Sequence, residues 1–111
     1  MKKDNFTYIE DIISFLEDIE SHVGVMDLDQ FGDDIKTQDA VIRKLELIGE
    51  AAGKIEPSWL KNYPDFPRRD VIDLRNLLIH GYDMIDIVKV WNIVKGELPG
   101  LKRVVLGMLG K

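Results

Sequence analysis

Cysteine is absent from this 111-residue chain, which removes disulfide staples and thiolate zinc sites together. Histidine is almost absent: His22 and His80 are the only two, and no H-E-x-x-H spacing exists for a histidine-held metal. No apolar run approaches the ~20 residues that span a bilayer. The basic start Met1-Lys2-Lys3 is followed by Asp4, Glu10 and Asp11 where the apolar core of a signal peptide would lie. These absences lead us to expect a cytoplasmic protein with no membrane segment, no metal and no cofactor. What remains is a soluble composition, 45% hydrophobic and 32% charged. A chain of this length buries roughly 65% of its unfolded surface, enough for one core, so residues 1–111 are expected to form a single domain.

Positive charge is outnumbered, fifteen lysines and arginines against twenty acids, and unevenly placed. The net charge is -5, and ten of the twenty acids lie in residues 1–34 beside only two lysines. The basic excess belongs to the second part of the chain. Nucleic acid held through many phosphates needs a broad cationic surface, so any RNA contact is expected to be local.

Helical periodicity dominates, and no segment shows sustained period-2 alternation, which makes the chain all-α. Phe6, Ile9, Ile13 and Leu16 recur at helical spacing, with Ile12 and Ile19 widening the stripe, and predict a first helix at about 5–22 opened by a Thr7/Glu10 capping box. Gly24 and the acids through Asp34 break it, around a short helical turn at 28–31. Thr37 offers an N-cap for a second long helix whose face is Val41, Leu45, Ile48, Ala52 and Ile55. The alanines, Gly49 and Gly53 there would let another helix approach closely, although each glycine costs about 1 kcal/mol of propensity. "EPSWLKNYPDFP", residues 56–67, reads as a connection with a turn of helix after Ser58. Pro67 suits the first turn of a third helix, marked by Val71, Leu74 and Leu78, which should end near Gly81. Asp83 with Asp86 resembles a cap and its following acid, opening a helix of Ile87, Val88, Trp91 and Val94. Gly96, Pro99 and Gly100 interrupt that helix before Leu101, Val105 and Met108, giving one kinked helix or two. An up-down bundle of four to five helices is the economical architecture.

The third helix ends in "RNLLIHGY", residues 75–82, where polar groups crowd an apolar run. One reading is an ordinary helix end: His80 near the negative end of the helix dipole, Arg75 paired with Asp73 or an acid on another helix, Asn76 in water. The other is chemical. Arginine supplies a permanent charge and a planar fork of donors for phosphate, and histidine moves a proton near neutral pH. RNA carries its own nucleophile, the 2′-hydroxyl, so cleavage needs proton transfer and stabilisation of the crowded phosphate, without a metal. Positions 75 and 80 are about 140° apart around a helix, whereas Asn76 and His80 nearly align. A two-fold interface that joins two copies of the helix brings both groups to one cleft, which favours a homodimer.

Arg75-Asn76-Leu77-Leu78-Ile79-His80-Gly81-Tyr82 resembles the R-x-x-x-x-H-x-Y motif of HepT-like toxins in the HEPN superfamily. "KTQDAVIRKLELIGEAAGKI" at 36–55, "WLKNYPDFP" at 59–67 and "VWNIVKGELPGLK" at 90–102 look like that family's neighbouring blocks in the same order. Arg68 departs from a tryptophan expected after the Phe-Pro element. The resemblance implies an all-helical, HEPN-like homodimer acting as a metal-independent RNase toxin, beside a minimal nucleotidyltransferase antitoxin. Carried over residue by residue, Arg75 would stabilise the scissile phosphate, His80 would be general acid or base, and Asn76 would orient the histidine or the RNA. Tyr82 resembles the tyrosine that the antitoxin modifies with AMP; its alternative is packing against the bundle. The rival function is a non-catalytic helical module that binds nucleotide or serves a nucleotidyltransferase, and a third is a purely structural dimer. His22 reads as a solvated capping histidine, Trp59 and Trp91 as core or interface residues, and "DLDQFGDD" at 27–34 as a solvated acidic loop rather than a calcium site. Glu50, beside Gly49 and Ala51, is a further candidate to approach the cleft.

Overall fold

The computed structural model describes residues 4–80 and 85–110, except for the side chain of His80. Its elements are helical, with no strand among the described residues: α1 (Asn5–Val23), α2 (Leu28–Asp33), α3 (Ile35–Lys54), a 3-10 turn (Trp59–Asn62), α4 (Arg68–His80), α5 (Ile87–Asn92), a wide π turn (Ile93–Glu97) and α6 (Leu98–Met108). This is the all-α architecture the periodicity predicts.

Two helix starts differ from expectation for one shared reason. Asp4 caps α1, accepting from the Thr7 amide at 2.8 Å and its hydroxyl at 3.0 Å. Asp34 caps α3 in the same way, with the Thr37 amide at 3.0 Å and hydroxyl at 2.7 Å. Each threonine therefore lies three residues inside the cap, and the Thr7/Glu10 capping box and the Thr37 cap are corrected. A carboxylate placed there satisfies amides that the helix itself leaves open. The Thr7 and Thr37 backbone amides, followed by their hydroxyls, hold the Asp4 and Asp34 carboxyls below the usual aspartate range.

The short helical turn expected at 28–31 is present and runs on to Asp33, so the acids at 27–34 lie on and around a helix. Asp27 and Gln30 make a reciprocal capping box at 2.8 and 2.9 Å. Phe31 is fully buried and meets the Trp91 ring at 5.3 Å. Gln38, the buried polar residue of α3, donates to the Phe31 and Gly32 carbonyls at 2.8 and 3.0 Å. That pair of bonds fastens α2 to α3.

Neighbouring long helices run antiparallel, as their cross-contacts show. Asn5 at the start of α1 accepts from the Glu56 amide just past α3, and Asp18 farther along α1 meets Lys44 in the middle of α3 at 2.9 Å. Along the next pair, Gly53 near the end of α3 faces Arg68 and Ile72, while Gly49 faces Val71 and Arg75. The shared core joins Ile9, Ile12, Leu16 and Ile19 of α1 to Val41, Leu45 and Ile48 of α3. Val71 and Leu78 of α4 and Leu101 and Val105 of α6 close it. Burying each such side chain contributes about 1.5–3 kcal/mol.

The last helical stretch is continuous from 87 to 108, with a wide turn instead of a break. Asp86, rather than Asp83, caps it, accepting from the Val88 and Lys89 amides. Pro99 falls in the first turn of α6, directly after the wide turn, whose looser winding makes room for a residue that lacks an amide. Gly81, Tyr82 and Asp83 lie outside the described residues, as does the expected helix end at Gly81.

Candidate active site

The close packing of α3 on α4 positions Arg75. A Cβ built on Gly49 would lie 2.1 Å from the Arg75 Cβ, 2.8 Å from its Cγ and 3.0 Å from the Val71 carbonyl oxygen. The arginine stem thus crosses α3 at a glycine, where no side chain stands in its way. Packing on this glycine fixes the first carbons of a long side chain that otherwise samples many rotamers.

The guanidinium end is restrained but electrically unclaimed. Nη1 donates to Asn76 Oδ1 at 3.0 Å, and Nε is buried with no hydrogen-bond partner among the described residues. Arg75 forms no ion pair there either. Asp73, the acid expected to neutralise it in an ordinary helix end, instead meets Arg69 at 3.8 Å. Among the described residues the Arg75 charge is therefore left without a counter-ion; its buried Nε, like that of Arg68, is closed off by the surrounding packing, so the Nη atoms are the donors that remain for a ligand.

His80 closes α4 as its last residue, and its side chain lies outside the description. Tyr82 lies outside the described residues altogether. α4 runs without interruption through both motif positions, so the angular separation of Arg75 and His80 read from the sequence stands. On the same helix Leu77 is 64% and Ile79 is 37% exposed, on opposite flanks of buried Leu78.

Other singled-out residues fall elsewhere. Glu50 is exposed and faces Lys54 at 3.8 Å, an ordinary pair one helical turn apart. His22 is exposed in the last turn of α1. Trp59 packs edge-on to Phe6 at 4.9 Å and beside Tyr63, and Trp91 lies between Phe31 and Lys95. Among the described residues, no group of three or more histidine, aspartate or glutamate side chains is placed to hold a metal ion. None of the described helices is long and apolar enough to cross a membrane.

Arg68 is a residue whose role the sequence did not show. It donates to the Gly53 carbonyl at 3.2 Å, in the last turn of α3, so it satisfies one of the carbonyls that a helix end leaves open. Its position after Pro67, as the first residue of α4, was visible; its partner was not, because the two are 15 residues apart.

The chain is thus a small antiparallel all-α bundle with, among the described residues, an arginine that has no ion pair five residues before a helix-ending histidine. The family description "Ribonuclease HepT-like" matches residues 12–108 of the chain. "Probable ribonuclease HepT" of Thermococcus cleftensis is 39% identical over 102 residues, 92% of this chain and 93% of that protein. "Putative RNase MJ0125" and "Putative RNase MJ1380" of Methanocaldococcus jannaschii are 36% and 35% identical over the same share of this chain, covering 88% and 94% of their own lengths. The chain belongs to the HepT-like ribonuclease family. No solved structure matches it.

Proposed function

We propose that this chain is a metal-independent endoribonuclease, the toxin of a toxin-antitoxin pair, working as a homodimer with its Arg75/His80 sites at the subunit cleft. The carrying observation is the Arg75 guanidinium: stem packed on Gly49, one nitrogen held by Asn76, and no carboxylate neutralising it among the described residues. The relatives named as ribonucleases support the same reading.

In this mechanism His80 takes the proton from a 2′-hydroxyl, and that oxygen attacks the adjacent phosphorus. The 5′-oxygen of the next nucleotide leaves with a proton, returned by the histidine of either subunit. Arg75 stabilises the charge on the non-bridging oxygens as the phosphate becomes five-coordinate. Asn76, already bonded to Arg75, orients the guanidinium. The products are a 2′,3′-cyclic phosphate and a 5′-hydroxyl. Exposed Leu77, three residues from His80 on the outer side of α4, supports burial of this face against a second copy.

The antitoxin in this reading is a minimal nucleotidyltransferase that attaches AMP to Tyr82. A bulky anion two residues from His80 would block RNA by volume and by like-charge repulsion. The net charge of -5 favours the second reading, a non-catalytic module that binds nucleotide or serves the transferase. Incubating pure protein with cellular RNA in EDTA separates the two. Cleavage with 2′,3′-cyclic ends, abolished by His80→Ala, supports the enzyme. Intact RNA at high protein concentration with nucleotide binding retained supports the module. Intact mass after co-expression with the neighbouring transferase tests Tyr82: the AMP increase should vanish in Tyr82→Phe.

A further inference from the structure

On the flank of α4 turned away from Arg75, a groove of about 630 Å³ opens between α3, α4 and the last helical stretch. Its floor is apolar, formed by Leu45 of α3, Leu74 of α4, Ile93 of the wide turn, and Leu101 and Val104 of α6. Its rim is acidic: Asp65 before α4, Asp70 and Asp73 on it, and Glu97 in the wide turn. Among the described residues, no lysine or arginine lines it. Asp65, Asp70 and Glu97 form no ion pair among the described residues, and Asp73 has only the exposed Arg69 at 3.8 Å.

That charge pattern selects the occupant. Four carboxylates around an apolar floor repel RNA phosphates, so this is not a route for the substrate. A second copy docked groove-to-groove about a two-fold axis would set acid against acid. The groove between α1 and α6 makes a useful contrast, because Glu20 there is accompanied by Lys95, Lys102 and Arg103 and is bonded to Lys102 at 2.6 Å. The α1/α6 groove therefore carries a net positive lining, whereas the charged residues lining the α3/α4/α6 groove are all carboxylates. The π turn contributes to this: a wide turn inside a helix re-aims side chains, and both Ile93 and Glu97 belong to it and line the groove.

We infer that this groove docks a cationic amphipathic helix of a partner polypeptide, whose apolar side fills the floor while its lysines or arginines meet the four rim carboxylates. Such a helix presents apolar anchors at i, i+3, i+4 and i+7 to a groove of this kind. It would lie beside Arg75 and not over it, since Leu74 and Arg75 are about 100° apart around α4. The site stands independently of RNA cleavage.

The test uses the full chain with labelled Ile, Leu and Val methyl groups and a synthetic 14-residue peptide with leucines at that spacing and lysines elsewhere. Methyl shifts should concentrate at Leu45, Leu74, Ile93, Leu101 and Val104. The combined Asp70→Asn, Asp73→Asn and Glu97→Gln variant should bind the peptide about tenfold more weakly, the sum expected for three exposed ion pairs. Neutralising Glu10, Asp29 and Asp33 removes the same net charge from α1 and α2 and should change affinity less than twofold. Equal weakening in both variants, shifts centred elsewhere, or equal binding of the same peptide with glutamate for lysine would overturn the assignment. Concentration-dependent shifts of these methyls without peptide would show that a second copy occupies the groove, and shifts of them on adding a 12-nucleotide RNA would show a nucleic-acid surface; either result also overturns it.

Discussion

Gly49→Ala and Gly53→Ala insert the same methyl group into one helix four residues apart, and they should move stability in opposite directions. At position 49 the new Cβ would lie 2.1 Å from the Arg75 Cβ and 3.0 Å from the Val71 carbonyl oxygen. Ordinary carbon contacts are ~3.5 Å or more, so α4 must retreat by roughly 1.4 Å. A Cβ and a carbonyl are tied to the backbone and cannot swing aside, which places the overpacking cost near the upper part of its ~1–3 kcal/mol range. Replacing a helical glycine returns about 1 kcal/mol. The net expectation is a loss of about 2 kcal/mol. At position 53 the nearest atom is the Ile72 Cδ1 at 4.0 Å, an ordinary contact, so only the propensity gain of up to about 1 kcal/mol remains. Urea denaturation followed by circular dichroism reads both values, given unchanged slopes with denaturant. A Gly49→Ala protein as stable as Gly53→Ala would refute the close-approach picture of α3 and α4.

Three other outcomes are expected. Gln38→Ala strips two bonds from the buried Phe31 and part-buried Gly32 carbonyls and should cost about 1–3 kcal/mol by the same denaturation assay, with the Phe31 and Trp91 ring signals changed. Asp34 has a folded-state carboxyl held below its unfolded value, so its cap contributes fully above the unfolded pKa and is lost as pH falls through the folded one. Asp34→Asn keeps a capping oxygen without the titration, so stability measured against pH should fall less steeply in acid for the variant than for the parent. Arg68→Ala should loosen the end of α3 modestly and raise amide exchange there, with Arg68→Lys restoring less than the full effect because lysine lacks the planar fork.

The fold was largely legible because the apolar stripes of α1, α3 and α4 are long and regular. The helix starts were misread at Thr7 and Thr37, where a preceding aspartate competes for the same capping role and wins by accepting both the amide and the hydroxyl. α2 was read only as a short helical turn within an acidic stretch, because its apolar anchor is a single residue, Phe31, which packs against Trp91 sixty residues later. At the site, Arg75 and Asn76 stood out by chemistry, and Gly49 was recognisable as a place where some helix comes close. That the helix is α4, and that Arg75 is the residue crossing it, follows from the register between two helices. No local pattern encodes such a register. The acidic groove was invisible for the same reason: Asp65, Asp70 and Glu97 become neighbours only once α4 and the π turn are packed.

The central claim is that Arg75 presents an unneutralised guanidinium to a phosphate, and its substitution tests this most directly. Single-turnover cleavage of a defined RNA in EDTA should be compared for the parent, Arg75→Ala and Arg75→Lys, each shown folded by methyl spectra. Removing a donor that stabilises charge in the transition state lowers the rate by about 10²–10³, so Arg75→Ala should fall by that factor and Arg75→Lys should recover only part of it. A rate for Arg75→Ala within about threefold of the parent, far smaller than any loss of transition-state stabilisation, would contradict it.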